Sequence, residues 1–156
     1  MSKTTIAFTS CFDAVAHPTQ EVWDRIGEKN PQALLLLGDS VYMDYGIWPI
    51  SSRRLGWPRK ISNQEFAETL HQRYAKQWGV ESFRRLICSG LKVGITWDDH
   101  DFAWNNSRGA GNEKKYAVSR EKRLISRGLF LQFKQILRDG VIVQTTIHRH
   151  QALWIC

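Results

Sequence analysis

Residues 98–101 read Asp98-Asp99-His100-Asp101, three carboxylates and one imidazole in four consecutive positions. The apolar alternation just ahead of them, through Ile95 and Trp97, is that of a buried strand. Successive side chains on an extended chain point to opposite faces, so these groups can act together only at a strand end, where the chain turns. Packed carboxylates repel one another unless a cation or a proton sits between them. Carboxylate oxygens suit hard cations and imidazole suits transition metals, so a divalent or trivalent ion is the simplest remedy. The competing reading is a solvated acidic turn, where Asp is common because it hydrogen-bonds its own backbone.

Such a cluster needs elements to hold it. Residues 4–9, rich in Thr and Ile, predict a first strand that ends at Ser10-Cys11. Pro18-Thr19 opens a helix with Val22, Trp23 and Ile26 as its apolar stripe, stopped by Gly27. The apolar run 33–37 predicts a fully buried parallel strand delivering Gly38-Asp39-Ser40-Val41-Tyr42. Residues 43–61 read as loop, and its Trp48, Trp57, Arg53-Arg54 and Arg59-Lys60 either stack on nucleic-acid bases or, the favoured reading, pack the loop onto the domain. Ser62 and Glu65 form a capping box ahead of a helix striped by Phe66, Leu70, Tyr74 and Trp78, with His71 beside the stripe in a structural role. A short helix over 81–88 and a strand over 91–97 lead into the acidic cluster. A polar loop over 105–112, a long helix over 113–138 that Gly128 interrupts, and a strand over 141–147 complete the pattern. Strands alternating with helices predict a single α/β domain. Thiol, carboxylate, phenol and imidazole then gather beyond strand C-termini, where open α/β sheets hold their functional groups.

The totals narrow the class. The chain has 156 residues, enough for one domain with a real core. Its net charge of +7 is lopsided: residues 1–50 carry −3 and residues 51–156 carry +10. A basic surface favours anionic partners, while a solvated helix face is the plainer account. Three widely spaced cysteines, Cys11, Cys88 and Cys156, predict reduced thiols rather than a disulfide framework. No apolar segment near the N-terminus reads as a secretory signal, and the run at 34–37 is too short for a membrane. The expectation is a cytoplasmic protein with no membrane partner.

Ser10-Cys11, then Leu36-Leu37-Gly38-Asp39-Ser40-Val41-Tyr42, then Trp97-Asp98-Asp99-His100-Asp101 with Asn105-Asn106, together resemble the alkaline phosphatase D (PhoD-like) family of calcineurin-like metallophosphoesterases. The resemblance covers about residues 4–138 and implies the N-terminal half of an α/β/α sandwich, ended after about four strands. It implies phosphate mono- or diester hydrolysis at a metal centre, with iron and calcium or another divalent ion as cofactors. By position it makes Cys11 a thiolate ligand, Asp39 a shared carboxylate ligand, Tyr42 a phenolate ligand and Asp99 a further ligand. Asp98 becomes a weak or outer ligand, and His100 the group that contacts the phosphoryl oxygens or protonates the leaving group. Arg108 and Asn105 become candidate substrate contacts.

The pattern departs from the family after residue 138. Later family ligands are missing, His148 and His150 could only imitate a pair, and the tail from Val143 does not resemble the family's continuation. The expectation is therefore a metal-dependent phosphoesterase, or a truncated or frameshifted piece of one with little or no activity. A half sandwich would leave apolar sheet surface uncovered and prone to self-association. The rival expectation is a non-catalytic binder of anions or nucleic acid through the basic residues of 53–60 and 114–127, lowered by the absence of a nucleic-acid motif.

Overall fold

The computed structural model describes residues 4–44, 57–109 and 114–140. Three parallel strands form one sheet in the order β1 (Ile6–Thr9), β2 (Ala33–Leu37), β3 (Lys92–Thr96). Phe8 registers with Leu35 and Leu35 with Gly94, so all three strands point their C-terminal ends at one rim. The helices are α1 (Val22–Gly27), α2 (Trp57–Lys60), α3 (Asn63–Gly79), α4 (Glu81–Ile87), α5 (Asp99–Phe102) and α6 (Arg120–Asp139).

Period-two alternation divides the sheet into two unlike faces. Leu34 and Leu36, with Ala7, Val93 and Ile95 beside them, turn to the helices and the core. Ile6, Phe8, Leu35 and Leu37 turn the other way and stay exposed. On the covered side, α3 packs against α4 and α6, α1 against α4, and α6 against β3. The stripe Phe66, Leu70, Tyr74 and Trp78 is buried, as four-residue spacing requires. Trp23 sits edge-on to Phe83 at 4.8 Å and to Phe12 at 5.0 Å. Each such aromatic pair adds about 0.5–1.5 kcal/mol beyond the area it buries.

Polar ties fix the connections. Ser62 Oγ accepts the Glu65 N–H at 3.1 Å and starts α3. Gln20 and Gln77 exchange two amide hydrogen bonds inside the core, at 3.0 and 2.9 Å, tying the loop after β1 to α3. The buried Lys122 donates its ammonium to the carbonyls of Pro58, Arg59 and Ile61, at 2.7, 3.1 and 2.8 Å. Those carbonyls belong to the end of α2, where a cation satisfies orphan acceptors and complements the helix dipole.

Several expected boundaries move. The first helix starts at Val22 rather than at Pro18-Thr19, because residues 10–21 form an irregular loop with Gln20 turned inward at φ +42°. The last helix starts at Arg120, not 113, since Arg108 pairs with Tyr116 and Val118 and holds that segment extended. Gly128 does not interrupt it; the glycine stands exposed inside a continuous α6. The strand expected over 141–147, the pair His148 and His150, Cys156, and Arg53-Arg54 with Trp48 lie outside the described residues. Cys11 and Cys88 are free thiols. Among the described residues no helix is long and apolar enough to cross a membrane.

Candidate metal centre

The three rim turns are laced together before any side chain is considered. Cys11 N–H donates to Gly38 O at 3.2 Å and Phe12 N–H to Asp39 O at 3.1 Å, joining the first turn to the second. The second meets the third at Gly38, whose φ is +101°. A Cβ there would lie 2.7 Å from Asp98 Cβ and 3.0 Å from its nitrogen, so only glycine lets the two turns close. Cys11 and Asp39 themselves adopt left-handed backbone, at φ +57° and +54°. Non-glycine residues pay about 1–3 kcal/mol for such conformations, which cluster where a site demands them.

Asp101 locks the arrangement from beneath. It is fully buried, and its carboxylate accepts Ser40 N–H at 2.9 Å, Asp98 N–H at 3.1 Å and the Tyr74 hydroxyl at 3.4 Å. Burial pushes its carboxyl up to about 7, against the pull of the backbone donors and aided by the charge of Asp39. Asp98 caps α5, its side chain accepting Asp99 N–H at 2.8 Å, while Asp101 at the third helical position returns the bond. That turn of helix was not foreseen. It aims Asp99 and His100 toward Asp39.

Ligand atoms of Asp39, Asp99 and His100 all lie within 4.8 Å of one another. Bonds to one bound cation run about 2.0–2.6 Å, so this span suits donors placed around a single ion. Cys11 Sγ stands 3.6 Å from Asp39 Oδ2, and the Tyr42 hydroxyl donates to that same oxygen at 3.1 Å. The other oxygen, Asp39 Oδ1, is buried with no hydrogen-bond partner. An anionic oxygen kept from water without a donor is costly, and a cation would satisfy it. The donor set of thiol, phenol, carboxylate and imidazole fits a metal ion by this test.

His100 is 4% exposed, and its ring lies tilted 42° to that of Tyr42 with centroids 4.3 Å apart. Its Nδ1 meets Asp44 Oδ1 at 2.8 Å, and its Nε2 edge lies 4.0 Å from Asp99 Oδ1. Burial opposes a charged imidazole here. The hydrogen bond and charge of Asp44, with Asp39 and Asp99 behind it, outweigh that and hold His100 above its ordinary range. Asp44 is 1% exposed, and its second oxygen accepts Asn105 N–H at 2.8 Å. Tyr42 is pushed far upward, first by burial, then by hydrogen bonding to Cys11 and the charge of Asp39. A phenolate at this position needs a cation beside it.

The expected residues thus fall into two groups. Cys11, Asp39, Tyr42, Asp99 and His100 converge at one rim. Asp98 serves as a helix cap and stays exposed. Asn105 takes part through its backbone N–H, on Asp44. The Arg108 guanidinium lies 5.5 Å over the Tyr116 ring, on the strip that runs alongside residues 116–118. Sequence reasoning missed Asp44. The available signal was chemical: a histidine meant to act at one nitrogen needs a carboxylate or carbonyl on the other, and Asp44 is the next acid after Asp39.

No family model, no curated protein and no solved structure matches this chain.

Proposed function

We propose that this chain carries a metal-dependent phosphoesterase centre of the alkaline phosphatase D type, set on part of an α/β/α metallophosphoesterase sandwich and directed at phosphate mono- or diesters. The observation that carries the reading is the buried, unpartnered Asp39 Oδ1 at the meeting point of Cys11, Tyr42, Asp99 and His100. Cys11, Asp39, Tyr42 and Asp99 would hold the metal, an iron ion with calcium or another divalent ion beside it. A bound hard cation supplies Lewis acidity toward a phosphoryl oxygen and a hydroxide nucleophile near neutral pH.

The protein's own contribution is orientation and a proton. Asp44 fixes the His100 ring through Nδ1, so Nε2 is the nitrogen turned toward the ligand cluster. The raised affinity of His100 for its proton suits donation from Nε2 to a phosphoryl oxygen or to the departing alkoxide. Asp99 is a quarter exposed and Cys11 is exposed, so the centre opens to solvent where a phosphate ester can approach.

Metal content of the purified chain, set beside Cys11→Ala and Asp99→Ala, tests the site. Hydrolysis of p-nitrophenyl phosphate and bis-p-nitrophenyl phosphate with iron, calcium and manganese supplied tests the chemistry. Bound metal lost in both variants is the expected result. Wild-type protein that takes up no metal ends the reading, and metal without turnover restricts it to binding. The rival, an anion or nucleic-acid binder through the basic residues of 53–60 and 114–127, draws on exposed Arg59, Lys60, Lys114, Arg120 and Arg127. Its mark would be single-stranded DNA binding that weakens steeply with salt and ignores metal.

A further inference from the structure

The loop that touches the candidate ligands runs straight into a basic cluster. Asn106, at φ +60°, gives its N–H to the Asp99 carboxylate, and Ser107 Oγ donates to the Asp99 carbonyl at 2.9 Å. Arg108 comes next. Two residues of chain span at most about 7 Å, so its backbone is held within that reach of Asn106. Its N–H donates to Tyr116 O at 2.7 Å, and its guanidinium lies 5.5 Å over the Tyr116 ring. Lys115 Nζ stands 4.5 Å from the centre of the same ring. The Arg123 guanidinium donates to the carbonyl of Gly109, the residue beside Arg108.

Three cations thus meet on one bend, and Arg108 and Arg123 enter no salt bridge among the described residues. Residues 114–127 add to the charge, with six basic side chains against the single acid Glu121. Gathered like charges repel one another unless an anion lies between them. A guanidinium resting over an aromatic ring is already placed, so it loses little freedom when its N–H fork takes a phosphate. From this juxtaposition we infer that the centre takes phosphate esters that carry a second phosphate, with the scissile group at the metal and the other on Arg108, flanked by Lys115 and Arg123. The inference rests on the phosphoesterase reading and deepens it by naming the class of ester. Acids and cations then divide the substrate: carboxylates hold the ion that takes one phosphate, and Arg108 takes the next. An ester with a single phosphate reaches the metal and leaves the second contact unmade. Arg108 is in this sense a specificity residue, not a catalytic one.

Titration calorimetry of the full chain loaded with manganese provides the test, with thymidine 3′,5′-bisphosphate and thymidine 5′-monophosphate as probes. The ratio of the two dissociation constants carries the result. The bisphosphate should bind at least about tenfold tighter, the effect of one charge-assisted bidentate contact. Arg108→Gln should bring the ratio close to one. Arg108→Lys should keep part of it, since lysine retains the charge but not the planar fork. Lys134→Gln, which removes an exposed charge elsewhere on α6, should leave the ratio as it is. Arg108 and Lys134 are both exposed, so circular dichroism and metal content should match wild type in all three variants. A chain that takes up manganese yet shows a ratio near one overturns the subsite alone, as does a ratio that survives Arg108→Gln. Bisphosphate affinity unmoved when chelator strips the loaded protein overturns it in favour of a plain basic surface. A chain that elemental analysis shows to take up no manganese overturns the metal centre, and this inference with it.

Discussion

Asp39 concentrates both the chemistry and the local cost of this molecule. It holds a left-handed backbone, accepts from Tyr42 on one oxygen, stands beside the Cys11 sulfur, and leaves its other oxygen buried without a partner. Asp39→Asn should therefore abolish metal uptake, measured by elemental analysis, without lowering the melting temperature of the metal-free protein. A fall in that temperature would mean the carboxylate is structural instead. Asp44 acts through His100. Asp44→Asn removes the charge that keeps the imidazole protonated, so the His100 titration followed by NMR should move down, toward the ordinary value. Neither Asp44 nor the burial of Asp101 was legible from residue order alone. The Asp44–His100 contact spans 56 positions and the Ser40–Asp101 contact 61, and local pattern carries no information about such distances. Cys11, Asp39 and His100 were legible because residue type at a strand end is itself a chemical signal.

At the level of elements, the sheet and α3 were readable and the rim turns were not. Alternation and four-residue stripes report which face is apolar, and they placed β2 within its true bounds. A four-residue helix such as α5 has no stripe to report. It exists because Asp98 and Asp101 cap it reciprocally and Gly38 allows the neighbouring turn to close on it. Gly38→Ala meets both a forbidden backbone angle and a 2.7 Å contact, and should cost about 2–4 kcal/mol in denaturant unfolding. Asp101→Ala strands the N–H groups of Ser40 and Asp98 and should cost a similar amount, about 2–4 kcal/mol. Lys122→Met would leave three carbonyls of the α2 end without their shared cation. Faster amide exchange at residues 59–61, with α3 protection unchanged, is the expected signature.

On the proposed metal reading, protons and metal act in opposite directions across the whole molecule. The folded-state affinities of Asp101 and His100 for protons are both raised above their unfolded values. Each group's contribution is fully present below its unfolded value and is lost as pH rises through the folded one. For Asp101 that window runs from 3.8 to about 7. For His100 it begins at its ordinary 6.5 and extends upward. The metal-free protein should thus melt at falling temperatures as pH is raised across this range, and Asp44→Asn should flatten the upper part of the curve. Metal binding asks for deprotonated ligands and should strengthen with pH. At a free ion concentration 100 times the dissociation constant it should add about 2.7 kcal/mol, visible as a thermal shift that chelator reverses.

Gly38 reaches beyond stability. With no space for even one carbon between the second and third turns, the acids they carry cannot be re-spaced by substitution at either turn. The Asn105 and Asn106 backbone, by contrast, touches this cluster through a single N–H to Asp44 and another to Asp99. On the proposed reading, anyone retuning the preference of this centre for one ion or ester over another would leave the turns untouched and edit that outer loop.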